Sequence, residues 1–188
     1  MNPEFLAAVL PSPRKVLGYH LEPFSAAHFV ALTVAECETL DGPTINPVDL
    51  VTTLRICASP VSEKTYLPGA VGKPNGLREL LAIALLRLRP SLLFRVSREI
   101  QSYLRENMFS PEVIIADERK GTDFEGDEIL ARVQSGMKAG LSEFRAWSIS
   151  LGLLDWHGVQ SAVARGVLVK VRNLNVDAEV MAELERIS

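Results

Sequence analysis

Residues 143–167 read EFRAWSISLGLLDWHGVQSAVARGV. Phe144, Trp147, Leu151 and Leu154 step by three and four residues, which places them on one face of a helix. Trp156, Val159 and Val163 repeat the stepping after Asp155. The spacing predicts two helices, near 142–152 and 156–166. Asp155 reads as the N-cap of the second, and Leu154 and Val159 as a hydrophobic staple across its start. On this reading Trp147 lies mid-helix and packs inside. Trp156 takes the first helical position, where it can form a docking surface. The stretch holds apolar stripes and few groups suited to catalysis, so it points to a mainly α protein that binds other proteins.

The same helical grammar recurs on both sides. Upstream, residues 3–10 form a short apolar helix or arm ended by Pro11 and Pro13. Alternation from Val16 to Leu21 predicts a short strand closed by Pro23. Ser25 caps a helix expected to run to about Leu40, with Phe29, Val30 and Leu32 inward, before Asp41-Gly-Pro43 stops it. Asn46-Pro47 is the clearest helix start: asparagine caps, and proline occupies the first turn, where a missing N–H costs nothing. That helix runs to about Ala58. Leu50, Val51, Leu54 and Cys57 line one side, and Asp49, Thr52, Thr53 and Arg55 the other.

Residues 59–76 are rich in proline and glycine and read as an exposed loop. From Asn75 the strongest helical block follows, with Leu77, Leu80, Leu81, Ala84, Leu85 and Leu88 in one stripe. Pro90 interrupts it, and Leu92, Leu93, Val96, Ile100, Tyr103 and Leu104 resume it. Arg95, Arg98 and Arg105 lie on the far face of that second segment. Their reading as a solvated face competes with a contact to an acidic protein surface. A second exposed loop is expected near 107–127, although Val113-Ile-Ile115 could form a strand and Ser110-Pro111 could cap a short helix. Ile129, Leu130, Val133 and Met137 mark a helix that Gly140 ends. An extended stretch at 167–172 and a final helix capped by Asp177, with Val180, Met181, Leu184 and Ile187 inward, complete the chain. The expected architecture is one compact helical domain over residues 1–188 with at most a small β element, from 15–21 and 167–172.

Composition narrows the functional classes. With 188 residues the chain suits one domain. A net charge of −3 and 6% aromatic residues argue against a nucleic-acid binder, which carries a basic excess or a stacking platform. No apolar run reaches bilayer length, so no membrane contact is expected. The amino-terminal apolar run is too short for a secretory signal, which points to a cytoplasm. Cys37 and Cys57 form no CxxC pair, and two buried reduced thiols are expected.

Candidate chemistry is thin. In the acidic loop Asp117–Glu128 neither frame, from Asp117 or from Asp123, supplies calcium ligands with glycine sixth. GAVGKPNG at 69–76 lacks phosphate-loop spacing, and Pro74 after Lys73 removes a donor N–H. His20, His28 and His157 stand in no nucleophile motif. No catalytic residue, cofactor or metal is expected.

Two stretches, KVLGYHLEPFSAAHFVAL at 15–32 leading into NPVDLVTTLRICAS from Asn46, and GLSEFRAWSISLGLLDWHGVQSAVARG at 140–166, resemble the tail assembly chaperones of tailed bacteriophages and their prophage relatives. The first looks like an extended segment ending in Pro-Phe-Ser before a helix. The second is similar to a small carboxy-terminal helical pair with an acid, a tryptophan and a second aromatic. The resemblance covers about half the chain. It implies a small, mostly helical, non-catalytic protein of the host cytoplasm. Such a protein self-associates, coats the tape-measure protein and recruits tail-tube subunits. Trp147, Trp156, Arg95, Arg98 and Arg105 are the candidate protein-binding residues. A tail or baseplate subunit retained in the virion is the second reading, and an enzyme the last.

Overall fold

In the VLGY turn at residues 16–19 the chain reverses where alternation predicted one continuous strand. Two three-residue strands, β1 (Arg14–Val16) and β2 (Tyr19–Leu21), pair antiparallel, with Arg14 opposite Leu21 and Val16 opposite Tyr19. Leu17 and Gly18 take φ of +49° and +80°, and two positive values are what a two-residue hairpin turn of this twist requires. The computed structural model describes residues 14–69, 74–108, 112–115, 128–164 and 169–172. The expected arm at 3–10, nearly all of the acidic loop and the expected last helix from Asp177 lie outside them.

The first helix, α1 (Ala26–Val34), starts at Ser25 as predicted but ends well before Leu40. Glu36 adopts a φ of +53°, and the Cys37 N–H turns back to the Leu32 carbonyl at 3.1 Å. This is a left-handed helix stop built without glycine, so no residue type announced it. A 3₁₀ turn at Glu38–Leu40 follows. Leu32 is buried, whereas Phe29 and Val30 are half-buried. Helix α2 (Pro47–Cys57) forms where its cap predicts, with Asn46 Oδ1 accepting the Val48 N–H at 3.1 Å. Thr52 and Thr53 are buried along with the apolar side, because Thr53 bonds Thr39 at 2.7 Å and Thr52 bonds its own helix. The helix is therefore covered on more sides than its pattern indicated.

The expected loop after α2 is only partly exposed: Glu63 to Thr65 are open, but Val61 bridges Pro68, which is buried. Helix α3 (Leu77–Leu88) is capped by Gly76, one residue after the expected Asn75. Helix α4 (Pro90–Met108) begins at the interrupting proline. Val96, Ile100, Tyr103 and Leu104 of α4 enter the core. Its polar residues hold neighbouring loops. Ser97 donates to the Thr44 carbonyl at 2.7 Å, Gln101 to those of Thr39 and Gly42 at 2.9 and 2.7 Å, and the Tyr103 hydroxyl to Glu22 at 2.6 Å.

Strand β3 (Glu112–Ile115) replaces part of the loop expected at 107–127, and Asn107 just before it is buried. It pairs antiparallel with β4 (Val169–Arg172), the extended stretch expected near the end. Between them run α5 (Glu128–Lys138), α6 (Glu143–Ser148) and α7 (Leu151–Ala164). Gly140, with φ of +97°, ends α5 as predicted, and the Leu141 N–H closes back on the Gly136 carbonyl at 3.1 Å. Helices α5 and α7 approach closely: a Cβ on Gly136 would collide with the Leu154 side chain. The described residues make a mainly α fold with small two-stranded β elements.

Candidate functional site

The break between α6 and α7 corrects the reading of the tryptophan stretch. Phe144 to Leu154 do not continue on one helix, because Ile149 is extended and Ser150 forms an isolated bridge with Ser25. The Leu151 N–H donates to the Phe24 carbonyl at 3.0 Å. Helix α7 therefore begins at Leu151, with the Leu153 N–H reaching Ser150 Oγ at 3.4 Å. Asp155 is not an N-cap; it lies inside α7 and pairs with Arg132 of α5 at 3.6 Å. Trp156 is accordingly within the helix rather than at its first position. Both tryptophans are half-buried, and Trp147 packs against the core.

Arg95, Arg98 and Arg105 are exposed on α4, opposite its buried side. Arg95 lies 3.9 Å from Glu99 one turn on, an open pair of the kind that adds little stability.

A buried polar cluster lies behind the Pro-Phe-Ser segment. His28 is buried. Its Nδ1 accepts the Ser25 N–H at 3.2 Å and sits 2.9 Å from Ser25 Oγ, while Nε2 lies 3.0 Å from the Ser59 carbonyl. Because Nδ1 accepts a backbone N–H, the proton belongs on Nε2, where it is donated to Ser59. Burial pushes the His28 pKa below its ordinary value, against the Ser59 bond that raises it. With Nδ1 on Ser25 and Nε2 on Ser59, the buried ring ties the start of α1 to the chain just past α2. Phe24 stacks on His28 and meets Tyr103 edge-on, each at 6.1 Å between centroids. Burial drives the Cys37 thiol up to about 11 and the Cys57 thiol higher still, which favours the protonated form of both. Among the described residues no group of three or more His, Cys, Asp or Glu side chains could hold a metal ion. No helix among them is long and apolar enough to cross a membrane.

The surface that sequence reasoning did not assign to binding is on α3. Ile83 and Leu86 are its buried residues, and the leucine stripe turns the other way. Leu77, Leu80, Leu81, Leu85 and Leu88 are 37% to 80% exposed, and Phe94 at the start of α4 is 60% exposed. These five leucines form a row of large apolar side chains open to water along one face of the helix. The sequence carried a signal for it. Helix α3 is apolar on two faces separated by Arg78 and Arg87, and a helix apolar nearly all round has more than one face to cover.

Fold and site together define a mainly helical protein with an open apolar helix ridge and an apolar core that encloses the His28 cluster. No protein-family model, curated protein or solved structure matches the chain.

Proposed function

We propose that this chain is a non-catalytic docking protein, a phage tail assembly chaperone acting in the host cytoplasm. It grips the tape-measure protein, self-associates along it and recruits tail-tube subunits. The observation that carries the docking role is the exposed leucine face of α3. Five large apolar side chains in one row suit reversible burial against a helical client. The placement in tail assembly rests on the resemblance of residues 15–32 and 140–166. Those two stretches meet through the Phe24–Leu151 backbone bond and the Ser25–Ser150 bridge. The test is a photocrosslinker at Leu81 in cells assembling particles, with mass spectrometry of the purified particles. Crosslinks to the tape-measure protein and absence from particles are expected. Stoichiometric presence in particles would instead make the chain a structural tail or baseplate subunit. Leu81 crosslinks to no tail protein would remove the proposal.

A further inference from the structure

The charges around the α3 leucine face specify what can cover it. With 3.6 residues per turn, Arg78 and Arg87 fall on opposite borders of the face. The guanidinium of Arg78 is held at its border by the Gly18 carbonyl at 2.8 Å and lies 4.4 Å from the Tyr19 ring centroid. Arg89, just past the helix, is exposed, and among the described residues neither Arg87 nor Arg89 has an ion-pair partner. The one acid of the helix, Glu79, is on the core side. It accepts the Asn75 and Gly76 N–H groups at 2.8 and 2.9 Å and pairs with Arg55 at 3.6 Å. Every charge that α3 presents beside its open leucines is therefore positive.

A second copy is a poor occupant. Symmetric antiparallel pairing of α3 would place two arginines and no acid along each border of the contact, so no charge of either helix neutralises them. A lipid surface is favoured less, because α3 contains no aromatic residue, the usual anchor at the headgroup level. We propose that the α3 face receives an amphipathic helix of another protein whose apolar stripe is bordered by aspartate or glutamate. This deepens the docking proposal above and rests on it.

Two fluorophore-labelled helical peptides test it, one with a leucine stripe bordered by glutamate and its twin bordered by lysine. Fluorescence anisotropy with the full chain is expected to show the lysine twin binding ~10-fold more weakly or worse. Arg87→Glu should shrink or reverse that preference. Leu81→Gln and Leu88→Gln should each abolish binding with an unchanged thermal melt. Equal affinity for both peptides overturns the acidic-partner inference and leaves the docking reading standing. Tight binding that both glutamine variants retain overturns the docking reading itself. Binding of neither peptide overturns the inference. So does cosedimentation with phosphatidylserine vesicles, or a wild-type dimer in sedimentation velocity, if Leu81→Gln abolishes it.

Discussion

The two faces of α3 predict opposite responses to the same truncation. Leu86 is fully buried, so Leu86→Ala removes a side chain from a packed core and leaves a cavity. That change costs about 2–5 kcal/mol. Leu81 is 61% exposed, so only about two-fifths of its side chain is covered. Full burial of leucine contributes roughly 1.5–3 kcal/mol, and two-fifths of that is about 1 kcal/mol. Alanine's better helix propensity trims this further, so Leu81→Ala should cost ~1 kcal/mol or less. Urea unfolding followed by tryptophan fluorescence measures both, provided the slope with denaturant is unchanged. Equal losses at the two positions would mean that the leucine face is covered in the isolated protein, and the docking argument would fail. A Leu81→Ala penalty that grows with protein concentration would name a second copy as the cover.

Lowering the pH should destabilise the protein through His28. Its folded pKa lies below the unfolded value of about 6.5, so the unfolded chain binds the extra proton first. The stabilisation is complete above that unfolded value. It is lost at up to ~1.4 kcal/mol per unit as pH falls from there to the folded pKa. His28→Gln should flatten this part of a stability–pH curve. Gly136→Ala should destabilise despite alanine's better helix propensity, because the new methyl meets Leu154. A cost of about 1–3 kcal/mol in urea melts is expected from overpacking, and a stabilised variant would show that α5 and α7 are not in close contact. Asn46→Ala should cost ~1 kcal/mol by removing the cap on Val48, and an unchanged melting curve would refute that role. Both thiols should resist a thiol-specific reagent in native protein and react on unfolding, since Cys37 and Cys57 are buried and free.

Local chemistry in the sequence was enough to locate several boundaries. Asn46-Pro47 starts α2 and Gly140 ends α5, because a cap acceptor, a proline without N–H and a residue tolerant of positive φ act on their own backbone. The helical period likewise placed α3, α4 and the buried side of α4. Other boundaries depended on partners distant in the chain. Helix α7 starts at Leu151 because Phe24 and Ser25 take the backbone bonds there, and Asp155 faces Arg132 instead of capping. Glu36 stops α1 in a conformation that glycine usually signals. The candidate site divides the same way. The leucine stripe and its arginine borders were legible as a pattern, since periodicity reports which residues share a face. Whether that face is covered depends on which other elements reach it. Helix α3 offers two apolar faces, and packing of the fold buries Ile83 and Leu86 while leaving the five leucines open.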